Sequence, residues 1–229
     1  MGVFEETEDG RFGPTPISEC LTDRPGTLRG WAVMLPRESY VAWAELMHTL
    51  ETGEPAYDKV FGEPRFEPLS KDPEGAARFN MAMQRWTEQV AKDVVEAYDF
   101  SSAQSVIDVG GGTGALLAAI LRANPHLRGA VFDLPAGLED TDAYLRSAGV
   151  RERCEIVPGS FFESVPSGFD LYVLKSIVHD WSDERSVAIL STCRAAMGEG
   201  GGCSWSSGSC PTGRRRARST DGRTSWTCR

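Results

Sequence analysis

The sequence predicts a doubly wound, mostly parallel α/β sheet preceded by a helical region, and three observations carry that expectation. From Ser105 onward short apolar runs alternate with helical stretches, and that alternation requires parallel strands joined by crossover helices. The glycine run Gly110-Gly111-Gly112-Thr113-Gly114 directly follows the first of these strands, where the chain must turn into a helix. Before Ser101 the apolar residues recur instead at three- and four-residue steps, the period of a helix. The 229 residues, 41% of them apolar, suffice for one substantial core and an appendage.

Taken in order, Gly2-Val3-Phe4-Glu5-Glu6 and Gly10-Arg11-Phe12-Gly13-Pro14-Thr15 read as two short strands around a Glu8-Asp9-Gly10 turn. Glycine supplies the positive φ that such a hairpin needs. From Leu28 to Tyr98 the pattern is helical, with breaks expected at Pro36, Gly53-Glu54-Pro55, Gly62-Glu63-Pro64 and Asp72-Pro73. In the last of these helices Phe79, Met83, Trp86, Val90 and Val94 share one face, for which core packing is the plain reading. Strand and helix then alternate through Ser105–Val109, Ala115–Ala123, Gly129–Leu134, Leu138–Ala148, Glu155–Pro158, Asp170–Leu174 and Asp183–Met197. Ser182, followed by Asp183 and Glu184, suits the start of the last helix, where a side-chain acceptor and negative charge are both favourable. Such a sheet binds its ligand beyond the carboxyl ends of its strands, so the chemistry is expected in the segments that follow them.

Charge narrows the function class. A formal net charge of −9 argues against a sequence-independent grip on nucleic acid, which rests on phosphate neutralisation by Lys and Arg. The balance is uneven: residues 201–229 hold six arginines against Asp221, a net of +5, which leaves −14 for the rest. No apolar run approaches the roughly 20 residues that a bilayer requires. The acidic Glu5-Glu6-Thr7-Glu8-Asp9 does not fit a secretory leader, and Met1-Gly2 lacks the later Ser or Thr of a myristoylation signal, so a cytoplasmic address is expected. Six cysteines show neither CxxC nor metal-ligand spacing, and no metal is expected.

The segment most informative for chemistry is Val106-Ile107-Asp108-Val109 leading into the glycines. Glycines there let a ligand approach the backbone, because no Cβ intervenes and positive φ is allowed. A dinucleotide fold offers the same turn, and its acid on the next strand end would be matched by Asp133 in Val131-Phe132-Asp133-Leu134-Pro135. Asp108 distinguishes the two readings, since a carboxylate ahead of the glycines suits an amino-acid ammonium and repels a pyrophosphate. His179, after the apolar run ending at Leu174, is a candidate general base. A phenol of pKa near 10 is a poor nucleophile at neutral pH, and an imidazole of ordinary pKa about 6.5 can take its proton as the oxygen attacks. A lone histidine in that position is otherwise a capping or buried polar residue. Asp180 reads as structural, and His48 and His126 as surface or packing residues.

Asp108-Val109-Gly110-Gly111-Gly112-Thr113-Gly114, then Phe132-Asp133-Leu134-Pro135, then Gly159-Ser160-Phe161-Phe162-Glu163, then Leu174-Lys175-Ser176-Ile177-Val178-His179-Asp180-Trp181 resembles the S-adenosylmethionine-dependent O-methyltransferases of plant phenolics and actinobacterial polyketides. The resemblance implies a Rossmann-like methyltransferase fold and S-adenosyl-L-methionine as cofactor. It implies cofactor contacts from Asp108, Gly110, Gly112, Asp133, Ser160, Phe161 and Lys175, and His179 as the base that acts on a small-molecule hydroxyl acceptor. Ser160 stands where the family often has an acid near the adenine. Trp31, Leu35-Pro36, Thr52-Gly53-Glu54-Pro55 and Phe79-Asn80-Met81-Ala82-Met83 match the family's helical region, which covers the acceptor and helps form a homodimer; Phe79, Met83 and Trp86 are then the candidates to touch an aromatic acceptor.

Residues 1–20 resemble the wing of a winged-helix dimerisation domain whose remaining helices are not found in this sequence, residues 21–100 the helical acceptor and dimer region, and residues 101–201 an incomplete cofactor domain. After Gly201 the family continues with a strand, whereas Gly202-Cys203-Ser204-Trp205-Ser206-Ser207 has neither alternation nor an apolar face. Residues 202–229 are therefore expected to form an aberrant, disordered tail. Written in GC-rich codons and read from the third base of the Gly202 codon, the run becomes Leu-Leu-Val-Val-Glu-Arg-Val-Val-Pro-Asp-Gly, a strand carrying the glutamate that the family sets beside its base. The resulting expectation is a methyltransferase by descent, with a catalytically impaired, cofactor-binding remnant as the alternative.

Overall fold

The computed structural model describes residues 2–22, 24, 27–197 and, as backbone alone, 202–206. The chain divides into two units, residues 1–85 and 86–229, and the division falls inside a long helix at Arg85 rather than at Phe100-Ser101.

In the first unit β1 (Phe4–Glu6) pairs antiparallel with β2 (Phe12–Pro14), Phe4 opposite Pro14 and Glu6 opposite Phe12. Gly10 turns the hairpin at φ 76°. Thr15 and Ser18 cap each other's backbone at the start of α1 (Pro16–Glu19), a reciprocal pair that satisfies two otherwise orphaned donors. The expected break at Pro36 does not occur. α2 (Arg29–Met34) runs through a wide π-type turn, Leu35–Ser39, into α3 (Tyr40–Ala44). Proline at the start of that widened turn disturbs little, because the turn already departs from the regular hydrogen-bond ladder. The glycine breaks do occur: α4 (Leu46–Thr52) stops at Gly53 and α5 (Ala56–Phe61) at Gly62, both left-handed at φ 78° and 77°, a conformation that closes a helix cheaply only with glycine. α6 (Pro73–Ala97) begins on its proline, whose lost N–H is one that no helix start can use. Gly30 lets α2 approach α6 closely, and the Trp31 indole donates to the Ala82 carbonyl at 2.9 Å.

The second unit is built on β3 (Ser105–Val109), α7 (Ala115–Ala123), β4 (Arg128–Asp133), α8 (Thr141–Ser147), β5 (Cys154–Pro158), β6 (Leu171–Lys175), α9 (Asp183–Ala196) and β7 (Gly202–Ser206). Its five strands among the described residues are all parallel, in the order β5-β4-β3-β6-β7. The chain therefore builds outward from β3 in one direction, returns, and continues from β6 in the other. The reversal between β3 and β6 is the switch point at which such sheets hold ligands.

Alternation along the strands sorts the core into two layers. Val106, Val131, Leu171 and Val173 pack with α7 and α8 residues such as Leu117, Leu121 and Leu145, while Ile107, Val109, Ala130, Phe132, Tyr172 and Leu174 pack with Ile189 and Cys193 of α9. Each large side chain so enclosed contributes about 1.5–3 kcal/mol. The same alternation puts Asp108, Asp133 and Lys175 on the α7 side of the sheet, each at or next to the carboxyl end of its strand.

β7 corrects the sequence reading that no strand would follow Gly201. Gly202–Ser206 pairs with β6 from Leu171↔Gly202 to Lys175↔Ser206. The open edge of β6 offers a row of backbone donors and acceptors, and backbone pairing makes no demand on side-chain alternation. The expected disorder of the tail falls otherwise on residues 207–229, which lie outside the described residues.

Candidate functional site

The glycine turn is fixed by backbone geometry before any ligand is considered. Gly110, Gly112 and Gly114 have φ of 74°, 54° and 78°. At Gly110 a Cβ would overlap Ile177 Cδ1 and lie 3.6 Å from Phe161 Cε1, so three segments, the glycine turn and those after β5 and β6, converge there. At Gly112 a Cβ would meet nothing within 4 Å, which leaves an open approach to its backbone.

Asp108, the residue before the last of β3, lies beneath the turn, 2% exposed, with its Oδ2 finding no hydrogen-bond partner among the described residues. Burial pushes its carboxyl up to about 7, opposed by the nearby Lys175 ammonium and reinforced by Asp133. Burial in turn lowers the Lys175 ammonium, which Asp108 partly restores. Lys175 Nζ donates to Ser176 Oγ at 3.2 Å. Ser176 is left-handed at φ 58°, the one non-glycine residue so strained among the described residues.

Asp133 ends β4 and accepts from both sides: Gly112 N–H to Oδ2 at 2.8 Å and Leu134 N–H to Oδ1 at 2.7 Å. Half-buried by exposed area, its carboxylate is still crowded closely enough that desolvation raises its pKa, against the two backbone donors. Those donors use one lone pair on each oxygen and leave one on each for a ligand. The Asp133 carbonyl accepts from Gly159 N–H at 2.9 Å, which brings Ser160 and Phe161 to the same end of the sheet.

His179 rides on a single 3-10 turn, Val178–Asp180. Its side chain is 39% exposed, and Nε2 lies 3.4 Å from Asp180 Oδ1. The turn is held from α9: Ser186 Oγ donates toward the Val178 and Trp181 carbonyls at 3.2 and 3.4 Å, and the Arg185 guanidinium lies 5.1 Å from the Trp181 ring and 4.9 Å from Phe162. Ser182 caps α9 as its sequence context implied, accepting from Arg185 N–H. Thr192 Oγ1, 2.6 Å from the Phe161 carbonyl, fixes the neighbouring loop.

The structure thus gathers Asp108, Gly110, Gly112, Asp133, Ser160, Phe161 and Lys175 at one end of one sheet, with His179 on the turn three residues past Ser176. Phe79 and Met83 belong to the first unit, where Phe79 stacks edge-on against Phe66 at 6.0 Å, and Trp86 opens the second. Sequence reasoning missed Ile177, Arg185, Ser186 and Thr141. The last is fully buried at the start of α8 and reaches the Gly112 carbonyl. A hydroxyl at a helix start reads from sequence as a cap, so nothing local signals its reach of 29 residues.

A glycine turn at the switch point of a parallel sheet, with an acid at the end of each of two adjacent strands, defines an α/β protein that holds its ligand at the carboxyl ends of its strands. The chain belongs to the O-methyltransferase domain family, whose model matches residues 43–220. It is 47% identical to a phenazine O-methyltransferase of Lysobacter antibioticus over 86% of this chain and 58% of that protein. It is likewise 47% identical to the O-demethylpuromycin-O-methyltransferase of Streptomyces alboniger over 86% of this chain and 53% of that one. An O-methyltransferase from neocarzinostatin biosynthesis, solved with S-adenosylmethionine and 2-hydroxy-5-methyl naphthoic acid, superposes with a TM-score of 0.77 at 35% identity, covering 88% of this chain and 63% of that one. The chain therefore spans a little over half the length of the relatives it matches.

Proposed function

We propose that the chain transfers a methyl group from S-adenosylmethionine to the hydroxyl of a small aromatic or polyketide-like acceptor, with His179 as general base. The observation that carries this reading is the cradle at the carboxyl ends of β3 and β4. Gly112 is open to a ligand, Asp133 keeps a free lone pair on each oxygen, and Asp108 holds a buried oxygen without a partner among the described residues. A ribose diol matches the two lone pairs of Asp133. An ammonium matches the negative charge under the glycine turn, where a pyrophosphate would be repelled. These residues fit the cofactor, which when bound supplies an electrophilic methyl group on a sulfonium. Gly112 would admit it to the backbone, Asp133 would orient its sugar, and Phe161 would offer a ring beside Gly110. The His179 imidazole receives the acceptor's hydroxyl proton as the oxygen–methyl bond forms and the sulfur–methyl bond breaks.

A chain that binds the cofactor without transferring methyl is the second reading. It is favoured by the residues of β7, Gly202-Cys203-Ser204-Trp205-Ser206, which include no carboxylate to orient an imidazole. Incubating the chain with S-adenosylmethionine and a panel of hydroxylated naphthoic acids and phenazines separates the two. Methylated acceptor detected by mass spectrometry supports transfer; binding without product supports the second reading, and neither binding nor product removes both.

A further inference from the structure

We infer that Thr141 is a positioning residue for the cofactor turn, holding the carbonyl of Gly112 while Asp133 holds its N–H; the inference rests on the reading of this turn as the cofactor cradle. Gly112 is the one glycine of the turn that combines a left-handed backbone, φ 54°, with open space above it. Its two polar backbone groups are both taken by side chains from other elements. Asp133 Oδ2, from the end of β4, accepts from the N–H at 2.8 Å, and Thr141 Oγ1, from the first residue of α8, donates to the carbonyl at 2.9 Å. Such a residue has no secondary structure of its own to define it, so those two bonds decide which way its peptides face.

Thr141 is unusual for a threonine in that position. It has no exposed surface, and it does not cap its own helix: the residue before it, Asp140, is the helix-flanking position and makes no side-chain cap bond. Its own N–H is already satisfied by the Leu138 carbonyl at 3.1 Å. The hydroxyl is thus directed away from α8 and into the turn. A buried hydroxyl without a partner is costly, and so is a buried carbonyl, so each group holds the other in place. α8 itself is anchored through Leu145, fully buried against the α7 layer, and through Tyr144, whose hydroxyl bonds Glu88 Oε1 at 3.0 Å. A rigid helix thereby sets the height of the Gly112 carbonyl over the sheet.

The test is calorimetric titration of the full chain and its variants with S-adenosylhomocysteine, with folding checked by circular dichroism. Thr141→Val keeps shape and volume but removes the donor, and is expected to weaken binding about tenfold, the loss of one buried hydrogen bond. Thr141→Ser keeps the donor and is expected to bind within about threefold of the wild type. If both groups act through Gly112, Thr141→Val combined with Asp133→Asn loses less than the product of the two single losses. Thr141→Val that is folded and binds like the wild type, or double-variant losses that simply multiply, overturns the inference while leaving the proposed function intact. If Thr141→Val does not fold, the serine variant decides: wild-type folding with binding lost overturns the inference, and binding kept supports it. No binding by a folded wild type removes the functional reading and the inference together.

Discussion

The glycine turn and the His179 turn sit at the same end of the same sheet and are built in opposite ways. Gly112 is bonded on both its polar groups, Gly110 is packed against Ile177 and Phe161, and Asp108 and Asp133 are desolvated beneath and beside the turn. His179, by contrast, lies on one turn of 3-10 helix, two-fifths exposed, with a carboxylate from its own neighbour at 3.4 Å. Its turn is held from α9, through the Ser186 hydroxyl and the Arg185 guanidinium. Under the proposed function, the groups that would hold the cofactor are already fixed by the fold, whereas the geometry of proton transfer would be left to the acceptor and to groups beyond the imidazole. Catalytic hydrogen bonds commonly tighten only when substrate is bound.

The sharpest way to break this contrast is His179→Ala. Transfer is expected to fall by about 10²- to 10⁴-fold, the usual contribution of a positioned general base, while S-adenosylhomocysteine affinity stays unchanged. A loss of affinity of similar size would show that the two turns are not separable.

The next effect concerns pH and the apo fold. The Asp108 carboxyl, raised from 3.8 to about 7, binds its proton more tightly folded than unfolded. The stability tied to that proton is fully present below pH 3.8 and is lost as pH rises through about 7, at most on the order of 4 kcal/mol. Lys175 opposes the shift and Asp133 adds to it, so both belong to the same titration. Chemical denaturation of the apo chain at a series of pH values is expected to show stability declining from mildly acidic to neutral pH. Asp108→Asn should flatten that decline and, by removing the negative charge under the turn, weaken S-adenosylhomocysteine binding. An unaltered slope would contradict the burial assigned to this carboxyl.

Gly110→Ala should cost less, about 1–2 kcal/mol for the left-handed backbone, plus the displacement of Ile177. Because Ile177 lies two residues from His179, the variant is expected to disturb both turns, lowering the melting temperature and transfer together. Arg185→Ala is the smallest perturbation, about 0.5–1 kcal/mol for an exposed cation over aromatic rings. It should loosen the His179 turn alone, reducing transfer modestly with cofactor affinity intact.

The same contrast explains what the sequence revealed. β3 and α7 were legible to the residue, because an apolar strand followed by glycines and an amphipathic helix meets every local rule at once. The acids at the strand ends and the cap at Ser182 were legible for the same reason. Pro36 was misread as a break because a local rule cannot foresee a π-type turn that accommodates it. β7 was missed because its formation rests on the open edge of β6 rather than on its own residues. Thr141 was invisible because its partner lies 29 residues away, and the contact of Arg185 with Phe162 because that ring belongs to another loop.

The most direct test of the central claim is titration of the full apo chain with S-adenosylhomocysteine alongside Asp133→Ala. Saturable binding by the wild type, weakened about a hundredfold in the variant as two hydrogen bonds to a charged group are lost, is the expected result. A folded wild type that shows no binding, or a variant that binds equally well, would contradict the assignment of the cradle at the ends of β3 and β4 as the cofactor site.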